Sequence, residues 1–211
     1  MLRKGWLYSN PSFLYQVKEV NKLAQSAISL CSKAMLKLGA SPVVSFYENT
    51  TEAQVASQLY SSVRDGLLSS YPWRFATCQV KLPRLQDAPV ADFAYAYQLP
   101  NDFLRALSAG DTRRAQGLNY RICERTLQTN APSVVLTYIF RPKEENFPAF
   151  FDDLLVAKLA AEFSLPLTEN VSRTQLLYKL AQELFAQAKL IDAQQSVTSA
   201  IEDFSLIGVR L

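Results

Sequence analysis

The sequence predicts an α+β fold, mostly α: an antiparallel helical bundle carrying an inserted small antiparallel β region and an extended C-terminal tail. Three observations predict it. Apolar residues recur at helical spacing in residues 21–72 and again in 143–193. Between them, aromatic and β-branched runs alternate with proline, glycine and asparagine breakers, the rhythm of short strands. After residue 193 comes a polar stretch, Gln194-Gln195-Ser196, and then a greasy end. The organisation that follows is an N-terminal arm (1–20), two bundle helices (21–72), the β region (73–142), two further bundle helices (143–193) and the tail (194–211).

In chain order, residues 1–11 read as an arm closed by Ser9-Asn10-Pro11. From about Asn21 a helix is expected, with Ala24, Ala27, Ile28, Cys31, Met35 and Leu38 on its apolar face. Gly39 follows Leu38, where a left-handed C-terminal cap favours a residue without Cβ. Lys33 and Lys37 suit the negative end of that helix dipole. A short extended piece, Val43 to Phe46, leads on to Thr51, which with Gln54 fits a capping box. Behind it Val55, Leu59, Val63 and Leu67 recur every four residues. Tyr71-Pro72 ends this second helix, because a proline disfavours the helical conformation in the residue before it.

Strands are expected at Tyr95–Leu99, Tyr120–Ile122 and Val134–Ile139. Helical spacing returns after Pro148, with Asp152 and Asp153 near the start and Leu154, Leu155, Leu159 and Phe163 behind them. Pro166 should interrupt that helix before a longer one carrying Leu176, Leu177, Leu180, Ala181, Leu184, Phe185, Ala188 and Ile191.

Composition excludes much of familiar chemistry. With 49% apolar residues, 12 Phe and 10 Tyr, the 211-residue chain can bury a real core and is no polyelectrolyte. It contains no His, so imidazole catalysis and imidazole metal binding are ruled out. Its six glycines are too scattered to write a dinucleotide or P-loop phosphate cradle. Cys31, Cys78 and Cys123 form no C-x-x-C pair and read as buried thiols in a reducing compartment. Neither a secretion signal nor a membrane span is predicted.

The remaining candidate chemistry is weak. Asp152-Asp153 and Glu144-Glu145 are carboxylate pairs, but neighbours on a helix point away from each other. Glu48, Glu52 and Asp65 have no spacing that argues for an oxygen-ligand metal site. A serine nucleophile without His needs a lysine, as in S-x-x-K, and no lysine here has Ser three places before it. No catalytic, cofactor or metal residue is therefore assigned, and the sequence points away from an enzyme. Trp73 and Phe75 beside Arg74 invite a base-stacking reading, but an aromatic pair just past a helix end better fits sealing the bundle against the first strand. Arg64 with Asp65 reads either as a solvated face or as an arginine holding a buried carbonyl or carboxylate.

Charge is uneven along the chain: residues 1–40 carry a net +5 and residues 149–211 a net −3, within a total of +3. Opposite fields at the two ends suit head-to-tail contact between copies, while a nucleic-acid reader would be more basic and more clustered. The tail holds seven large apolar residues in its last fifteen: Val197, Ile201, Phe204, Leu206, Ile207, Val209 and Leu211, with Arg210 among them. Such a segment cannot form a core alone. It either folds back on its own bundle or docks on a partner chain.

Several runs together resemble one family. They are Ala27 to Ala40, with Leu38-Gly39 at its end; Val44-Ser45-Phe46; Leu59-Tyr60; Val63-Arg64-Asp65; and Tyr71-Pro72-Trp73-Arg74-Phe75-Ala76. Tyr95 to Arg105 follows, including Pro100, Leu104 and Arg105, and then Phe151, Leu155, Ala157 and Leu159. In this order and spacing, over about residues 23–193, the chain resembles the head-to-tail adaptor (tail tubular protein A) family of short-tailed bacteriophages. It departs from the family in a longer N-terminal arm and in Arg74, where Asn is frequent.

The resemblance implies a structural virion protein of the tail or neck, assembled in the host cytoplasm, with no cofactor. It implies a dodecameric ring of identical copies between a portal protein and a tail nozzle (tail tubular protein B-like), with tail fibres as a further partner. Double-stranded DNA would pass through without specific binding, and no membrane is involved. The tail is then expected to clamp the portal or an adjacent subunit. The channel wall is expected not to be the basic segment with Arg3, Lys4, Lys18 and Lys22, since many phosphate contacts would retain the genome. Two other classes stay in view, a helical nucleic-acid-binding regulator and a carboxylate-dependent enzyme.

Overall fold

A computed structural model describes residues 26–111, 115 and 117–195. The chain is α+β, with four helices and two three-stranded antiparallel sheets among the described residues. The expected N-terminal arm and the tail residues Val197, Ile201, Phe204, Leu206, Ile207, Val209, Arg210 and Leu211 lie outside these residues, as do Arg3, Lys4, Lys18 and Lys22.

Helix α1 spans Ala27–Leu38. Ser26 has extended backbone and caps it, exchanging hydrogen bonds with Ser29; the part of the expected helix from Asn21 through Ala24 lies outside the described residues. Gly39 ends it at φ 69°, with the Gly39 and Ala40 N–H groups returning to the carbonyls of Leu36 and Met35. That double bond pattern needs the left-handed residue that only glycine adopts cheaply. Residues 43–46 form no strand: Val44 lies in a bend and Phe46 opens a turn. There the Glu48 carboxylate accepts the N–H groups of Val44 and Ser45 at 3.0 and 2.9 Å and holds the loop closed.

Helix α2 spans Thr51–Ser70. Its cap is Thr50 and not Thr51: the Thr50 hydroxyl accepts the Ala53 N–H at 3.2 Å, and Gln54 takes no part through its side chain. Tyr71 is extended ahead of Pro72, so the helix stops where the proline requires. A short 3-10 turn, Arg74–Ala76, leads to the strands.

The strands are β1 Thr77–Lys81, β2 Tyr95–Gln98, β3 Phe103–Gly110, β4 Tyr120–Cys123, β5 Thr126–Thr129 and β6 Val135–Phe140. One sheet has the order β1-β6-β3 and the other β2-β5-β4. Arg84 extends the second sheet by bridging to Tyr97. Leu127, Tyr97, Leu136 and Tyr138 meet in a core between the sheets, while Ile139, Leu104 and Leu107 turn to the helices. The first sheet is thus a shared layer: one face packs on the second sheet, the other on the bundle. Two register irregularities in β3, near Phe103 and near Ala106, accompany this double packing.

Helix α3 spans Ala149–Thr168 and helix α4 Val171–Ala193. Pro166 does not interrupt α3; it sits in the last turn, and the helix runs on to Glu169, which closes it in left-handed conformation at φ 52°. A proline so near the end forfeits one ladder bond without breaking the helix. Helix α3 packs against α1, α2 and α4, which explains why it is apolar nearly all round. The thiols are not uniformly buried: Cys31 is, and burial pushes it up to about 12, but Cys78 is half-buried and Cys123 is exposed. Among the described residues no helix is long and apolar enough to cross a membrane.

Candidate functional site

The bottom of the bundle is built around Trp73, which is fully buried. Its indole N–H donates to the Leu67 carbonyl at 3.0 Å, satisfying one of the carbonyls a helix end leaves open. Its ring meets those of Tyr71, Phe151 and Phe185 at 4.9, 5.4 and 5.8 Å, in edge-to-face geometry. Phe75 stands on Phe151 at 4.9 Å. The aromatic pair therefore seals the bundle against the first sheet, as the sequence suggested, and no face of Trp73 is open to a base. Asp192, near the end of α4, accepts the Arg74 N–H with both carboxylate oxygens at 3.1 Å. Burial pushes its carboxyl up, and the Arg74 N–H draws it back only in part.

The second feature is a charged junction between bundle and β region. The Arg64 guanidinium, 13% exposed, donates to Asp65 and to Glu144 at 2.9 Å each. The Tyr60 hydroxyl donates to the same Glu144 oxygen at 3.1 Å. Arg141, just past β6, holds Asp65 from the other side with a bidentate pair at 3.0 and 2.6 Å. So Arg64 holds a carboxylate and is no solvated face. Burial raises the Asp65 carboxyl, but the hydrogen bonds from Arg141 and Arg64 outweigh it and hold the group below its ordinary range. Burial, with the Glu144 charge, pushes the Tyr60 phenol up.

The other residues singled out in the sequence have structural places. Leu38 is in the bundle core and Leu104 packs on it. Arg105 donates to the Ser69 carbonyl at 2.7 Å, tying β3 to the end of α2. The Pro100 carbonyl accepts from Arg125 at 2.8 Å. Pro72 is exposed. The pair Asp152-Asp153 splits as helical geometry requires, Asp152 buried and Asp153 exposed. One oxygen of Asp152 has no hydrogen-bond partner among the described residues. No three His, Cys, Asp or Glu side chains among the described residues converge as a metal site.

Sequence reasoning missed a concavity on the bundle. A groove of about 530 Å³ runs between α2 and α4 with α3 as its floor. Leu59, Val63 and Leu67 form one wall, Leu154 the floor, and Tyr178 and Phe185 the other wall. Lys158 and Glu162 cross the floor as an ion pair at 2.8 Å, so the groove carries no uncompensated charge from them. Burial and Glu162 push the Tyr178 phenol up to about 12. Gly66, mid-helix in α2, also lines it, and a Cβ built there meets no atom within 4 Å. A glycine inside a helix costs about 1 kcal/mol relative to alanine, and the packing of the described residues does not require it.

An apolar stripe marks the opposite side of α4. Leu176, Leu180 and Ile191 fall on one face of the helix, with Leu190 beside it, and all four are exposed. That face lies about half a turn from Tyr178 and Phe185. The sequence placed Leu176, Leu180 and Ile191 on a packed face. Of the residues expected beside them, Ala181 and Ala188 are buried, and Leu177, Leu184 and Phe185 are partly buried against the core. No protein-family model matches the chain, and no curated protein matches it significantly.

Proposed function

We propose that this chain is a structural virion protein, a head-to-tail adaptor that forms a dodecameric ring between a portal protein and a tail nozzle. In that role it continues the channel for double-stranded DNA, needs no cofactor, and acts by shape without chemistry. The observation that carries the proposal is the exposed stripe of Leu176, Leu180, Leu190 and Ile191 on α4. A row of large apolar side chains on one helix face is expected to be covered by another protein surface. In a ring each copy offers one surface forward and a different one back, and the contact closes when the rotation fits. The sequence resemblance supplies the particular assembly, and the fingerprint residues Trp73, Arg64 and Arg105 support it by stiffening the subunit.

Electron microscopy of the purified full chain, and of particles that contain it, tests the proposal. The expected result is a ring, located between portal and nozzle in the particle. Leu180→Glu should prevent ring closure while leaving the circular dichroism spectrum unchanged, since Leu180 is 41% exposed. A chain that stays monomeric with its portal and nozzle partners, or one that binds duplex DNA with steep salt dependence, would favour the nucleic-acid regulator instead.

A further inference from the structure

We propose that residues 197–211 of this chain dock in the groove between α2 and α4 of the same molecule, so that the free subunit stores its own tail. The inference concerns the lone chain and does not depend on the adaptor reading.

Reach and position select this occupant. Helix α4 ends at Ala193, eight residues and about 12 Å beyond Phe185 at the near mouth of the groove. From Leu59 to Ser70 the groove runs about 17 Å along α2. The sixteen residues after Gln195 span up to about 53 Å when extended, enough to turn back and fill that length. The N-terminal arm is the poorer candidate, because it precedes α1, and no residue of α1 lines the groove.

Chemistry fits as well. Val197, Ile201 and Phe204 recur at helical spacing in the sequence, so a helix there would share one apolar face among them and turn Glu202 and Asp203 away from it. An apolar face of that kind matches walls of Leu59, Val63 and Phe185 over a floor whose only charges are paired. Gly66 then has a reason. A backbone that must admit another segment closely is where a helix tolerates glycine, and the space over it is empty in the described residues.

Hydrogen exchange on the full chain, read by mass spectrometry alongside sedimentation, tests this. In the wild-type monomer, amides of 197–207 should be protected. Gly66→Leu, which fills the groove from the wall, should speed their exchange about tenfold or more at unchanged helix content. Ile201→Glu with Phe204→Glu should in turn speed exchange of the amides in 59–70 and 178–185 by a similar factor. Equal exchange in wild type and both variants would overturn the inference. So would protection that appears only as the sedimenting mass doubles, because the occupant would then be a second copy's tail.

Discussion

Asp152 makes the sharpest prediction, because a buried carboxylate with an unpartnered oxygen works against the fold that holds it. It sits in the first turn of α3, 8% exposed. Burial raises its carboxyl to about 6 from an ordinary 3.8, with Lys33 pulling it down and Asp153 adding to the rise. The folded state therefore binds more protons than the unfolded state between those two values. Stability must then fall as pH rises through this window, and the loss is complete above about pH 6. At about 1.4 kcal/mol per pH unit the full cost is about 3 kcal/mol. Asp152→Asn removes the charge and keeps the shape, though its amide still wants a partner. The expected gain at neutral pH is about 1–3 kcal/mol, a rise in melting temperature of about 2–4 °C for each of them. Urea unfolding of both proteins at about pH 4 and pH 7 measures it: the variant should be the more stable at pH 7, with the difference vanishing or reversing at pH 4. An Asn variant that is less stable at pH 7, or that retains the wild-type pH slope, would refute the reasoning.

The charged junction predicts the opposite pH sign. Asp65 is held below its ordinary range, so its share of stability is present at neutral pH and is lost as acid protonates it in the folded state. Arg64→Met should cost about 2–4 kcal/mol in urea unfolding, because Glu144 and Asp65 lose a partly buried partner; Arg64→Lys should rescue it poorly, since one ammonium cannot reproduce the two-armed contact. Glu169 closes α3 at φ 52°, where a side chain is strained. Glu169→Gly should stabilise the chain by about 0.5–1 kcal/mol, seen as a small rise in melting temperature.

What could be read from the sequence follows the strength of local signals. Gly39 after Leu38, and Tyr71 before Pro72, fixed two helix ends because each restricts one backbone conformation. The aromatic and β-branched runs gave β2, β4 and β6. Strand β1 escaped although Thr77, Cys78, Gln79, Val80 and Lys81 alternate polar and apolar, because only Cys78 and Val80 mark its inner face and it is held by pairing with the distant β6. Ser26 escaped because its capping partner is Ser29 where the familiar pattern has Glu or Gln. Pro166 misled because its cost depends on how many turns follow it, which periodicity does not show. Arg64 was legible only as a choice of two roles, since its partner Glu144, and Arg141 that holds the neighbouring Asp65, lie past the β region in the chain. The groove left no sequence signal beyond Gly66, whose meaning depends on empty space above it.

Helix α4 carries two apolar faces about half a turn apart, and the bundle uses the alanine strip between them together with Leu177, Leu184 and the Phe185 ring, edge-to-face with Trp73. If both faces served one partner, that partner would have to wrap the helix, and the packing of Ala181 and Ala188 against α3 blocks one of the two ways round. The groove is concave and short, suited to a single segment; the stripe of Leu176, Leu180 and Ile191 is convex, suited to a broad surface. Two different occupants are the simpler consequence, and they make storage of the tail and closure of a ring separable. Leu180→Glu touches the second and leaves the groove intact, whereas Gly66→Leu fills the groove and leaves the stripe as it was. A subunit built this way can keep its greasy end covered until another surface competes for it, without changing the face by which it meets its neighbour.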